Sequence, residues 1–356
     1  MPEFRADGYN RPHVIVTNQR ESMDQLLVQL IPFVYVGIIL YAANQAALTG
    51  GMTLILRLLL SSTAALGAFY GASILLSAFV DNTEVMQISV RAGMVAAGVA
   101  VAAGGISYAC IFSPDVRRRV GRVFGRNSTY NPESPVHVTA IVLSLTLVSF
   151  TITNFIAAGG ISGLAESLEA DQSAIPTLIL NQVLWILAAL LGVGLFIRRQ
   201  PAQAAARLGL RFPTPQDFNW GLGLGLLAYL GVIGIIAVWT LVVSPEQFAE
   251  QTAASAELAG VFTSLPQVLI LSILIGIGEE TFFRGAIQPV FGIGFTSVFF
   301  TVLHSQYTLT PATLALFGVS LVLGWLRQRH STSAAIIAHF IYNFVQLALG
   351  LLAIGS

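Results

Sequence analysis

The chain has no lysine, one cysteine and little charge of either sign. All 17 of its basic side chains are arginine, so Schiff-base and P-loop lysine chemistry is excluded at once. Cys110 alone cannot supply an internal disulfide, a cysteine-based zinc site or an iron–sulfur cluster. Charged residues make up 10% of the chain, where a soluble domain carries about 25%. Net charge is zero, and no basic field points to a nucleic-acid partner. Residues 1–25 are mixed polar and lack the apolar core of a signal peptide.

Apolar residues take the place of the missing charge. They account for 55% of the 356 residues, and mean hydropathy is +0.77. A water-soluble fold of this size could not cover its surface with so few charges, which predicts an all-α polytopic transmembrane bundle. A bilayer core of about 30 Å needs about 20 apolar residues per helix. Long apolar runs fall near 26–46, 54–79, 88–112, 136–158, 175–197, 220–243 and 266–288, then near 295–307, 311–326 and 332–353. That reading gives ten membrane segments, the eighth of them short. The chain divides at the acidic 159–174 loop, giving a polar tail (1–25), an N-terminal group of helices (26–172) and a C-terminal unit (173–356). The amphipathic 200–219 stretch reads as a helix or hairpin lying on the membrane face.

Arginine placement orients the segments. Arg117, Arg118, Arg119, Arg122 and Arg126 share one loop, Arg198, Arg199, Arg207 and Arg211 another, and Arg327 and Arg329 a turn. The alternate loops carry only acids: Asp81 and Glu84; Glu166, Glu169 and Asp171; Glu246, Glu250 and Glu257. The positive-inside rule puts the arginine loops in the cytoplasm. The N-terminal tail, with Arg5, Arg11 and Arg20, then lies outside, unless the first run is re-entrant.

Few charges fall inside the apolar runs, and each costs roughly 2.5–3.5 kcal/mol on insertion scales. Arg57 and Arg91 lie near helix ends and can snorkel. Glu279, Glu280 and Arg284 form a cluster. Glu280 and Arg284, spaced i, i+4, are expected to form a structural ion pair. Adjacent residues on a helix point about 100° apart, so Glu279 and Glu280 are not expected to face one neighbour. Glu279 is left without a local cation, which suits a general base or a metal ligand. Measured from the arginine side, Glu279, His304 and His339 sit at a common depth of about 12–14 Å on three helices. Asn343 follows His339 by four residues on the same helical face. Asn44, Asn154 and Asn181 read as interhelical hydrogen-bonding residues, and Gly67/Gly71 and Gly221/Gly225 as small-residue packing pairs.

These residues carry a resemblance. Glu279-Glu280-x-x-x-Arg284, Phe300-x-x-x-His304 and His339-x-x-x-Asn343 resemble, in order and on successive helices, the motifs EExxxR, FxxxH and HxxxN. Those motifs characterise the CPBP family, the CAAX-protease and bacteriocin-processing intramembrane proteases, also called the abortive-infection (Abi) family. The resemblance covers about 175–356 and assigns nothing to the earlier helices. It implies that Glu279 activates water beside His304, while His339 and Asn343 bind a metal or stabilise the oxyanion. The cofactor is then either none or zinc held by Glu279, His304 and His339. The implied partner is a membrane-embedded or membrane-associated peptide within the lipid bilayer. Two other classes remain open: a proton- or cation-coupled transporter using Glu279 and the histidines as a relay, and a catalytically silent immunity or scaffold protein.

Overall fold

The computed structural model describes residues 12–79, 88–125, 128–160, 174–244, 262–304 and 311–354, with positions 163 and 248 besides, and the side chains of the first helix from Leu30 onward. The acidic loops (Asp81, Glu84, Glu166, Glu169, Asp171, Glu246, Glu250, Glu257), Arg5, Arg11, Arg126 and the side chain of Arg20 lie outside the described residues.

In chain order the helices are α1 (Pro12–Thr49), α2 (Leu54–Ser77), α3 (Val90–Phe112), α4 (Pro114–Gly121), α5 (Pro135–Ala157), α6 (Ala174–Gly192), α7 (Pro201–Leu208) and α8 (Pro215–Trp239). Then come α9 (Leu265–Glu280), a π-helical segment (Thr281–Ile287), α10 (Gln288–Leu303), α11 (Pro311–Arg329) and α12 (Thr332–Ile354). Several starts follow one local rule. Ser113, Ser134 and Thr214 each accept the backbone N–H three residues on, and each is followed by proline at the first helical position. Proline supplies the helical φ where its missing N–H has no intrahelical partner to lose. The first run is helical, and α1 continues unbroken to Thr49.

Eight helical stretches among the described residues are long and apolar enough to cross a membrane, against the ten expected. Two features account for the difference. The seventh and eighth runs join in one helical stretch, Leu265–Leu303. The ninth, α11, is helical but closes on Arg327 and Arg329 and is not one of the eight. The long stretch does not run straight. Twenty-five residues of straight helix would separate Glu279 from His304 by about 37 Å, yet their side chains approach to 3.7 Å. The chain folds back between them. Gly292, at φ 83° and ψ 168°, breaks the helix with a backbone that a Cβ would strain.

The arginine-bearing connections gather at one end of the bundle. Arg198 Nε donates to Asn44 Oδ1 near the end of α1 at 2.7 Å. Thr332 Oγ1, at the start of α12, donates to the Leu208 carbonyl of α7 at 2.6 Å. Thr129 Oγ1, in the α4–α5 loop, donates to the Pro289 carbonyl at 2.8 Å. The opposite property marks the flanks, where Leu54, Ile55, Leu58, Leu227, Leu230 and Ile270 are exposed, as lipid-facing side chains should be. Arg57 and Arg91 are exposed near helix starts, in keeping with snorkelling.

One core spans both halves of the chain. Cys110, Phe124 and Ile141 pack with Phe283, Phe291, Phe299 and Phe300. Cys110 is a buried packing residue. Asn44 ties α1 to α6 by donating Nδ2 to the Leu191 carbonyl at 2.8 Å, and Tyr70 donates to Asn154 between α2 and α5. α7 ends at Gly209 in the left-handed region, and Leu208 is fully buried beneath it. This half of the amphipathic 200–219 stretch is therefore docked on the bundle, whereas Phe212 is 94% exposed.

Close packing also fits the small residues of α8. A Cβ on Gly225 would lie 2.6 Å from the Ala338 carbonyl of α12, whereas one on Gly223 meets nothing within 4 Å. Gly225→Val should lower stability by about 1–3 kcal/mol, the usual cost of overpacking, while Gly223→Val leaves it unchanged. Thermal unfolding of the two purified variants in detergent checks this, and equal losses would contradict the close approach of α8 and α12.

Candidate active site

α9 delivers Glu279 and Glu280 at its end, immediately before the backbone widens into the π segment that carries Arg284. Single π turns inside α-helices often mark functional sites. Glu280 is fully buried and fully engaged. Its Oε2 accepts from Arg284 Nε at 2.9 Å, and its Oε1 accepts from His339 Nδ1 at 2.8 Å. Arg284, also fully buried, donates Nη2 to Ser320 Oγ on α11 at 3.0 Å and lies 5.2 Å over the Phe300 ring. The expected ion pair is present, and it continues into a relay from Ser320 through Arg284 and Glu280 to His339.

That relay corrects one expectation. Glu279 and Glu280 do share a neighbour, because Glu279 Oε2 lies 4.0 Å from His339 Nε2 while Glu280 holds Nδ1. The imidazole stands between them and presents a different nitrogen to each. Divergent directions from adjacent positions are therefore compatible with one shared partner.

Glu279 Oε2 also lies 3.7 Å from His304 Nε2, and this oxygen is buried without a hydrogen-bond partner. Both rings have a fixed orientation. His304 Nδ1 lies 2.8 Å from the Phe300 carbonyl one turn earlier, and His339 Nδ1 faces the Glu280 carboxylate. Carbonyl and ion-paired carboxylate oxygens only accept, so each Nδ1 bears the proton and each Nε2 is turned toward Glu279. The structure thus brings together three of the four expected side chains. Asn343 is half-buried one turn beyond His339 and enters none of these contacts.

Residues 261–345 match the family model of type II CAAX prenyl endopeptidases, described as Rce1-like. This segment is similar to that family. The match spans Glu279, Glu280, Arg284, His304, His339 and Asn343, and it leaves α1–α8 outside. No curated protein and no solved structure matches the chain. With eight helical stretches among the described residues long and apolar enough to cross a membrane, the chain is a multi-pass membrane protein with a C-terminal segment similar to CAAX endopeptidases.

Two supports of the Rce1-like segment were not expected from sequence. Ser320 anchors Arg284, yet a serine in an apolar helix carries no distinguishing signal. Asp217 is fully buried and joins the start of α8 to the turn before α12, accepting from Arg211 Nη2 at 2.8 Å, Thr214 N at 2.9 Å and Ser331 Oγ at 3.1 Å. Its signal was present as the capping box Thr214-x-x-Asp217. Further inside, α6 crosses close to the glutamate-bearing end of α9, so that a Cβ at Gly278 would meet Gln182 Oε1 at 2.5 Å.

The donor set of Glu279, His304 and His339 has the chemistry of a zinc site, but its spacing is wide. Ligands about 2.0–2.1 Å from a tetrahedral zinc lie roughly 3.3 Å apart, against 3.7 and 4.0 Å here. Among the described residues no group of three or more His, Cys, Asp or Glu is arranged to hold a metal ion.

Removing Arg284 would leave Glu280 a buried carboxylate with its histidine alone. Arg284→Met should cost about 3–5 kcal/mol of stability, as for other half-removed buried pairs. Adding Glu280→Gln should recover part of that loss, since the two sites are coupled. Unfolding midpoints of both single variants and the double variant measure the coupling, and strict additivity would contradict it.

Proposed function

We propose that the chain is an intramembrane endopeptidase that hydrolyses a peptide bond in a membrane-associated or lipidated peptide or protein, using a water activated by Glu279. The observation that carries this reading is the orphaned Glu279 oxygen facing two ring nitrogens at 3.7 and 4.0 Å. Three atoms with free lone pairs converge there, and a bridging water can donate to two of them at once, Glu279 Oε2 and one ring nitrogen. Separations beyond 3.5 Å between polar atoms are the usual signature of such a bridge.

The steps follow from that placement. Glu279 takes a proton from the water as its oxygen attacks the scissile carbonyl carbon, with His304 orienting the water. The carbonyl oxygen becomes an oxyanion. Asn343, one turn beyond His339, donates its amide N–H, and His339 donates from Nε2 when it carries a second proton. Glu280 then stands against the imidazolium, as the buried carboxylate does in a hydrolase triad. Protonated Glu279 finally passes its proton to the leaving amine as the C–N bond breaks. Because the arginine-bearing connections share one end, we assign that end to the cytoplasm by the positive-inside rule. The substrate enters from there.

Glu279→Gln should reduce cleavage by about 10²–10⁴-fold, the contribution of a positioned general base, without shifting the unfolding midpoint. Membrane peptidomes of cells carrying wild type and Glu279→Gln provide the readout and the substrate together. A full set of products from the variant would sink the assignment. Asn343→Ala should lower the rate by about 10²–10³-fold, as loss of an oxyanion donor does, with little change in KM for a reconstituted lipidated peptide. Activity should survive phenanthroline; inhibition reversed by added zinc would place the water on a metal instead.

A further inference from the structure

Beyond the site, the arginine end holds four guanidinium groups that the hydrolytic chemistry does not use. Arg207 Nη1 donates to the Gly285 carbonyl and Arg327 Nε to the Arg284 carbonyl, both at 3.2 Å, so these two side chains lie on adjacent carbonyls of the π segment. Arg327 packs against Gly209, where a Cβ would meet its Cζ at 2.5 Å. Arg198 is held by Asn44, and Arg199 donates Nη1 to the Val193 carbonyl. All four are half-buried. Among the described residues none of the four has an acidic partner; the acids form their pairs with Arg117, Arg118, Arg211, Arg284 and the histidines. Burial, reinforced by Arg199, Arg327 and Arg198, pulls Arg207 down to about 10.

Like charges gathered half out of water are costly unless an anion completes them. Each guanidinium has five N–H donors and makes one described bond, so most of its fork stays free. Two or more such forks match the oxygens of a phosphate. We propose that Arg198, Arg199, Arg207 and Arg327 form a binding site for the phosphate of an anionic phospholipid headgroup. This site does not depend on the protease reading.

Surrounding features favour a lipid as the source. The cluster sits where the apolar helices end, at the level of the headgroups, and basic pockets between membrane helices are typical headgroup sites. A cleft of about 490 Å³ lined by Gln288, Pro289, Arg327, Gln328 and Arg329 opens beside it. The Gly194–Arg199 turn directs Phe196 outward, 76% exposed, while Arg198 and Arg199 turn inward. Phe196 is the one non-glycine residue at positive φ (59°) among the described residues. Strain of this kind persists where surrounding structure imposes it. With Phe212, also exposed, it supplies apolar contact for the acyl-chain boundary next to the charge.

The test uses native mass spectrometry of the full-length protein, purified from nanodiscs of mixed phosphatidylcholine and phosphatidylglycerol. Wild type should retain phosphatidylglycerol in preference to phosphatidylcholine, and an excess of inorganic phosphate should not displace it. Arg207→Gln/Arg327→Gln should weaken retention by about thirtyfold, from the loss of two basic contacts near the surface, whereas Arg91→Gln leaves it unchanged. Equal retention of the two lipids by wild type overturns the proposal without recourse to any variant. Displacement by inorganic phosphate overturns the lipid assignment, and so does retention by the double variant equal to that of wild type.

Discussion

A single buried carboxylate, that of Glu280, holds the candidate site of this molecule together. It accepts from Arg284 on one side and from His339 on the other, with no exposure to solvent. A charge in that position is tolerable only because each of its two oxygens has a donor. Through Ser320 and the Phe300 ring, the same network joins α11 and α10 to α9 and α12. Glu279 depends on this arrangement. Its own carboxylate has no fixed partner, and the imidazole it faces is oriented by its neighbour in sequence. One glutamate is spent on architecture so that the next can remain free for chemistry.

The second constraint is the reversal at Gly292. Without it the helical stretch from Leu265 to Leu303 would carry His304 far from Glu279. With it, the motif histidine returns to the level of the carboxylate and its ring stacks on Phe300 at a centroid distance of 4.3 Å. The loop around Ser128 and Thr129 bonds to the same turn, so the N-terminal helices brace the hairpin. This gives α1–α5 a physical part in the site although the family match does not reach them.

The polar organisation of the molecule follows from the membrane. Backbone groups are satisfied within helices, the arginines of the connecting segments gather at one end, and small residues mark where helices approach most closely. Gly71 illustrates the last point, since a Cβ there would fall 2.2 Å from that of Ala100. The arginine end is also the place where the π segment offers its carbonyls to Arg207 and Arg327.

Composition and apolar run lengths were sufficient for the helical membrane class, because the cost of burying charge in lipid leaves few alternatives for a chain with so little of it. The three motifs were legible for a similar reason, as titratable groups in apolar helices stand out against their background. The i, i+4 spacing revealed the Glu280–Arg284 pair, since that contact is local. The count of spans was less legible, because hydropathy cannot register a reversal made by one glycine's φ. That His339 stands between two adjacent glutamates was hidden for a deeper reason. Helical periodicity describes directions from a single axis, whereas a shared neighbour depends on where another helix puts its ring. Ser320, Asp217 and the convergence of four arginines belong to that second kind of information, set by the packing of segments distant in the chain.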